Sequence, residues 1–94
     1  MKIERSEDGN RGKFYIEENE KQIALLNYKK SGDGVITIDH TEVDPNFRGE
    51  NIGEDLVVEA VKFARENDLK IVPTCPFAKK VIDDKPEFQD VLAN

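Results

Sequence analysis

The stretch Val43-Asp44-Pro45-Asn46-Phe47-Arg48-Gly49-Glu50-Asn51-Ile52-Gly53 divides the chain into halves with different hydrophobic periods. Pro45 cannot donate to a sheet ladder and stops pairing, and Asn46 through Asn51 reads as a loop. From Gly53 onward the period is helical: Leu56, Val57, Ala60, Val61 and Ala64 fall on one stripe of a helix predicted over 53–66. Glu54 and Asp55 in its first turn, and Lys62 and Arg65 in its later ones, complement the helix dipole. Asn67-Asp68 ends it.

Toward the N-terminus the pattern is that of strands. The run 35–43 is rich in β-branched residues and reads as a long strand, preceded by the turn Ser31-Gly32-Asp33-Gly34. Residues 22–28 fit a more buried strand, and 13–17 alternate with Phe14 and Ile16 on one face. Ile3 marks a short edge strand over 2–6, with turns at 7–10 and 18–20. Four strands joined by short turns make an antiparallel meander. Toward the C-terminus, 70–75 is a strand in which Pro73 marks a free edge or a bend. Pro76 suits the first turn of a short helix continued by Phe77, Val81 and Ile82. The tail over 86–92 adds one turn and lays Phe88 and Leu92 on the core. Should 35–43 and 70–75 run parallel, they form a βαβ unit with the helix between them. The loop entering that helix then sits where open sheets bind ligands. The expected fold class is α+β: a mostly antiparallel sheet of about five strands, a parallel βαβ unit and short C-terminal helices.

Composition narrows the function classes. Ninety-four residues suffice for one domain, taken as 1–94, and not for two. No apolar run approaches the ~18 residues that span a bilayer. The segment Met1-Lys2-Ile3-Glu4-Arg5 is charged at once and offers no signal peptide, so no membrane partner is expected. A single cysteine, Cys75, has no internal disulfide partner and suits a reducing cytoplasm. Twenty acids against fourteen bases give a net charge of −6, which repels a phosphate backbone and argues against nucleic acid. The same charge tolerates a cationic or amine-bearing partner, although acids also serve simple solubility. With one His and one Cys a metal site is not expected, and no P-loop pattern occurs.

The stretch 43–53 resembles the acetyl-coenzyme A loop of the GNAT N-acetyltransferase superfamily, whose pattern is Gln/Arg-x-x-Gly-x-Gly/Ala between a strand and a helix. Arg48 matches the first position and Gly53 the last, and Asn51 stands where glycine is usual. Asparagine is the next-best residue for a left-handed backbone. The physical reason for such a pattern is that a diphosphate needs several N–H groups pointing at one spot, which a helix N-terminus supplies. Gly49 and Gly53 let the backbone approach, and Arg48 pairs with phosphate. Glu50, Glu54 and Asp55 place three acids nearby, at a cost of about 1 kcal/mol each where solvated. The alternative reading of the same residues is an ordinary glycine-rich βα turn.

The resemblance extends through Ile71-Val72-Pro73-Thr74-Cys75-Pro76-Phe77-Ala78-Lys79-Lys80 and covers roughly 10–92, like the smallest single-domain branch of the superfamily. In that branch the elements that clasp an acceptor are missing, so an open surface or a protein partner would complete the acceptor site. The resemblance implies acetyl-coenzyme A as acetyl donor and an amine, small-molecule or peptide, as acceptor. It implies that the backbone from Thr41 to Val43 pairs with the pantetheine arm, that Arg48, Gly49, Asn51, Ile52 and Gly53 hold the pyrophosphate, and that 70–75 splays from 35–43 to leave a slot beside Pro76 and Phe77. Lys79 and Lys80 become candidates for a cofactor phosphate, with a solvated helix face as the alternative.

His40 and Cys75 fall near the ends of the two strands flanking that slot. A thiolate is a good acyl acceptor and an imidazole can take its proton, which suggests acetyl-Cys75 as an intermediate. On a direct route His40 or a water deprotonates the acceptor amine and Cys75 only lines the slot. Both residues also have structural readings, Cys75 as packing and His40 as a surface group beside Asp39. An acetyl-coenzyme A sensor that regulates a partner without turnover is the competing function.

Overall fold

A computed structural model describes residues 2–93; Met1 and Asn94, the ends of the expected 1–94 domain, lie outside the described residues. Five strands lie side by side in chain order: β1 Glu4–Asp8, β2 Arg11–Glu18, β3 Lys21–Gly32, β4 Val35–Val43 and β5 Lys70–Pro73. β1 to β4 form the antiparallel meander, and β5 runs parallel to β4. Helix α1, Ile52–Glu66, joins β4 to β5. A 3-10 turn at Pro45–Phe47 precedes it, and α2, Pro76–Asp83, and a 3-10 turn at Pro86–Val91 follow β5. The α+β architecture, with its parallel βαβ unit and short C-terminal helices, is the one the hydrophobic periods predict. No helix among the described residues is long and apolar enough to cross a membrane.

Most boundaries shift by one or two residues, and three shifts have a tertiary reason. β1 runs to Asp8 instead of ending at residue 6, because the Glu7 side chain is tied to β3 by Lys30, Nζ to Oε1 at 3.1 Å. β3 continues to Gly32, since Lys29 and Lys30 pair with Thr37 and Ile36 of β4. β5 stops at Pro73 and not at residue 75, because the next two residues bend onto one carbonyl of β4, as described below.

Helices α1 and α2 and the C-terminal turn pack together on one face of the sheet. That face carries Phe14, Ile16, Leu26, Tyr28, Ile36, Ile38 and Ile71, all buried, against Leu56, Val57, Ala60, Val61 and Ala64 of α1. Each such Leu or Val contributes roughly 1.5–3 kcal/mol relative to its exposed state. The opposite face bears Lys13, Tyr15, Gln22, Leu25 and Asn27, none fully buried, and no described element covers it.

Tyr28 locks the meander to α1. Its ring packs with Phe14 and Phe63, centroids 5.6 and 5.8 Å away, and a Cβ on Gly12 would come within 2.4 Å of it, so only glycine fits there. Its hydroxyl donates to Glu7 Oε2 at 2.6 Å and accepts from Arg5 Nη1 at 3.1 Å. Burial, helped by Glu7, pushes the phenol up to about 12, so it stays a neutral donor. The hydrogen bond from Tyr28, with that of Lys30 next, holds the Glu7 carboxyl below its ordinary range. A carboxylate depressed in the fold stabilises above its unfolded pKa, and that stability is lost as pH falls through the folded value. Tyr28→Phe should therefore cost about 1–2 kcal/mol at neutral pH. The gap in urea midpoint between wild type and variant should narrow below about pH 4. A gap independent of pH would show that Glu7 is not the partner that matters.

Candidate functional site

The site is built where β4 loses a neighbour. Val35 to Ile38 pair with Lys70 to Pro73, and there the ladder ends. The Ile38 carbonyl accepts the N–H groups of Thr74 at 3.0 Å and Cys75 at 3.2 Å, and the Thr74 hydroxyl at 3.3 Å. Three donors on one oxygen turn the chain out of the sheet into α2, with Cys75 as N-cap and Pro76 in the first turn. β4 continues alone on that side as far as Val43.

A bulge aims this free edge. Ile38 pairs with Tyr28 and His40 with Asn27, which leaves Asp39 without a partner on β3. Before the bulge, the carbonyls of Gly34 and Ile38 point to β5. After it, the Asp44 N–H donates to Ile23 O of β3 at 2.7 Å, so His40 and Glu42 share that direction. The N–H and C=O groups of Thr41 and Val43 consequently face the unpaired side. Their side chains turn toward the helices, while those of His40 and Glu42 lie on the open face.

The loop that follows ends in a row of unused donors. Gly49 and Asn51 take left-handed φ values of 88° and 59°, the conformation for which asparagine substitutes best for glycine. The Asp55 N–H closes the first helical turn onto Asn51 O at 2.9 Å. The N–H groups of Gly49 through Glu54 have no acceptor among the described residues, and Arg48 has no carboxylate partner there either. Gly53 is buried under Phe77 and Val43: an added Cβ would lie 3.0 Å from the Phe77 ring and 3.5 Å from Val43 Cγ2.

A groove of about 620 Å³ joins the edge to these donors. His40, Thr41, Val43, Arg48, Gly49, Asn51, Ile52, Gly53 and Phe77 line it, together with Glu42 and Glu54, which the sequence also places at this edge and loop, and with Phe47 and Val81, which were not named as site residues. Nothing local distinguishes Val81 from a core residue of a short amphipathic helix. Phe77 is the large apolar side chain left most open, 43% exposed, and it stands over the groove. A second hollow of about 410 Å³ shares Glu42, Val43 and Arg48 but lies toward Gln22 and Leu25 of β3.

Cys75 does not line the groove; it is 8% exposed and meets the groove wall through Thr41, with its sulfur 3.3 Å from the Thr41 hydroxyl. Burial pushes the thiol up. The Thr41 hydroxyl and the N–H groups of Ala78, Phe77 and Thr41 outweigh burial, and the net shift is downward. Those amides act at longer range, since Cys75 makes no side-chain capping bond to α2. His40 is not brought to the thiol. Its side chain is 55% exposed, with Nε2 4.0 Å from Glu42 Oε2, because strand alternation places it on the face opposite Thr41. Lys79 and Lys80 do not line the groove; they pair with Asp83 at 2.7 Å and Asp84 at 3.0 Å on their own helix, and Pro76 is exposed beside them. The described residues contain no group of three or more His, Cys, Asp or Glu arranged to hold a metal.

Residues 13–91 match the family model described as GCN5-related N-acetyl-transferase. The chain belongs to the GCN5-related N-acetyltransferase (GNAT) family. The family uses acetyl-coenzyme A as its acetyl donor. This small GNAT domain is 36% identical over 63 residues to Protein NATD1 of Xenopus tropicalis, covering 67% of this chain and 58% of that protein. Against Protein NATD1 of Homo sapiens the identity is 35%, covering 67% and 56%. The chain thus matches somewhat over half the length of these curated relatives. A solution structure of a GCN5-like putative N-acetyltransferase from Staphylococcus aureus superposes with a TM-score of 0.75 at 35% identity, covering 97% of this chain and 88% of that one. A putative streptothricin acetyltransferase from Bacillus anthracis, solved with acetyl coenzyme A, shares the fold at a TM-score of 0.61 and 20% identity, covering 79% and 48%.

The lowered thiol has a direct consequence. Cys75 should react with a small alkylating agent with a pH midpoint below that of a free cysteine. Thr41→Val should raise the midpoint and Thr41→Ser should restore it. An unmoved midpoint in Thr41→Val would remove the Thr41 hydroxyl as the cause.

Proposed function

We propose that this GNAT domain binds acetyl-coenzyme A in the groove beside β4 and transfers its acetyl group to an amine. The observation that carries this reading is the continuity of unused backbone donors and acceptors. They run from Gly49–Glu54 along the Val43 and Thr41 edge, and the Thr41 hydroxyl touches the Cys75 sulfur. The residues fit the donor: six open N–H groups and Arg48 suit a diphosphate, and a free strand edge suits the amides of a pantetheine arm. When bound, acetyl-coenzyme A supplies an activated acetyl thioester.

The chain's own residues divide the remaining work. Thr41 and Val43 orient the donor arm through their backbone, and Gly53 keeps the helix N-terminus open to it. His40, on the open face with Glu42 beside it, accepts the proton of the attacking amine. Cys75 offers a second route, favoured by its lowered thiol. Its sulfur attacks the thioester carbonyl and releases coenzyme A as the thiol. The amine then takes the acetyl group, forming the amide and restoring Cys75. The acceptor enters from the open sheet face, completed by a partner protein or left exposed. If that face holds no acceptor of its own, the same groove serves an acetyl-coenzyme A sensor that acts on a protein partner. A reducing cytoplasm, where acetyl-coenzyme A and a free thiol coexist, suits either role.

Coenzyme A at a hundredfold its Kd should add about 2.7 kcal/mol of stability, a rise of roughly 10 °C or more in melting temperature for a domain of this size. Gly53→Val, which brings side-chain atoms against Phe77 and into the groove, should abolish that rise. An unshifted wild type would end the coenzyme A reading. For the covalent route, mass spectrometry after incubation with acetyl-coenzyme A should find one acetyl group on Cys75, and Cys75→Ser should lose transfer. Turnover by a protein whose Cys75 stays unmodified excludes that route and leaves the direct one.

A further inference from the structure

The anion end of the groove carries an uncompensated difficulty. Glu54 is the third residue of α1, so its own N–H is one of the open donors while its carboxylate lines the same groove. A diphosphate received by those N–H groups lies beside a negative side chain. The chain supplies one cation to that carboxylate from outside the helix: Lys85 Nζ is 3.0 Å from Glu54 Oε1. Lys79 and Lys80 are each held by an acid one turn further along α2, whereas Lys85 spans from the end of α2 to the first turn of α1.

The base of Lys85 is rigid. Its N–H donates to Ile82 O at 3.1 Å, and its carbonyl accepts the Phe88 N–H at 3.0 Å and Gln89 Nε2 at 3.1 Å. Its side chain is 31% exposed, against 61% and 76% for Lys79 and Lys80. An ammonium has three donors in a rotating head, and Glu54 engages one. The others remain for an oxygen anion arriving at the Glu54 N–H.

We propose that Lys85, which does not itself line the groove, is a diphosphate-binding residue, held beside the groove by Glu54 and bridging that carboxylate to the bound diphosphate. The inference rests on the coenzyme A reading of the groove. The Glu54–Lys85 pair then has a purpose beyond joining two elements: it turns a groove-lining carboxylate beside the open N–H groups from a repulsive neighbour into a support for a cation.

Binding of coenzyme A and of 3′-dephospho-coenzyme A to the full chain, measured by calorimetry, tests this. Lys85→Gln should weaken both ligands alike by about tenfold, or ~1.4 kcal/mol, and Lys85→Arg should retain most of the affinity. In a Glu54→Gln background Lys85→Gln should still weaken both ligands, because the ammonium touches the diphosphate itself. A purely structural staple predicts that Lys85→Gln has no further effect once Glu54 is replaced. That outcome overturns the proposal, as does an undiminished affinity in Lys85→Gln. A loss confined to coenzyme A moves Lys85 to the 3′-phosphate and overturns the diphosphate assignment. Wild type that binds neither ligand overturns the coenzyme A reading itself, a failure distinct from a wild type that binds while Lys85→Gln binds equally well. Melting temperatures of the unliganded variants report whether each still folds.

Discussion

Past Ile38, one side of β4 carries backbone donors and acceptors that no strand takes up. Open edges are a liability for a sheet, because they template pairing with other chains. This chain leaves the edge open at one place only along β4 and shields it locally. Pro73 cannot donate, Thr74 and Cys75 crowd onto the Ile38 carbonyl, and α2 starts at once, so Phe77 and Val81 stand beside the edge without pairing to it. The result is a slot one chain wide instead of a sixth ladder. The rest of the site depends on that geometry. Were β5 to continue in register, Thr41 and Val43 would be bonded to it and the groove would close.

The bulge at Asp39 gives the two faces of β4 different chemistry. One extra residue reverses which carbonyls point out of the sheet and sends Thr41 toward Cys75 while His40 and Glu42 go to the other face. Asp39 itself stays partly engaged. Arg11 Nη2 meets Oδ2 at 2.9 Å, while Oδ1 is buried with no hydrogen-bond partner, an energetic cost at the point where the strand is distorted. On the proposed reading the thiol side meets the acyl donor and the imidazole side meets the acceptor. A proton relay from Cys75 to His40 is therefore not what the strand arranges, and Thr41 occupies the position such a base would need.

Much of this was legible from the residues. The change of period across 43–53 locates the strand, loop and helix, because alternation and a 3.6-residue stripe are local consequences of one buried face. The left-handed Asn51 follows from the same kind of local rule. The Asp39 bulge was not legible: residues 35–43 are an unbroken β-favouring run, and the shift exists only in their register with β3. The roles of Lys79 and Lys80 were misleading for a reason that the sequence did contain, since Asp83 and Asp84 stand four residues on and pair with them. Lys85 has no such marker. Its reach to Glu54 is set by how α2 and the C-terminal turn fold back on α1.

The charge of the chain and the charge of its expected ligand pull against each other. A protein of net charge −6 repels a polyanion at long range, and Glu50, Glu54 and Asp55 add to this at the loop. On the proposed reading the balance reverses at contact distance, because open amides, the helix dipole, Arg48 and Lys85 act at short range while distant carboxylates are screened beyond about 8–10 Å at ordinary salt. Specific recognition thus comes from geometry at the loop and not from overall attraction. On the proposed reading the same long-range field attracts an acceptor that carries positive charge, so the acidity that hinders the donor helps the acceptor.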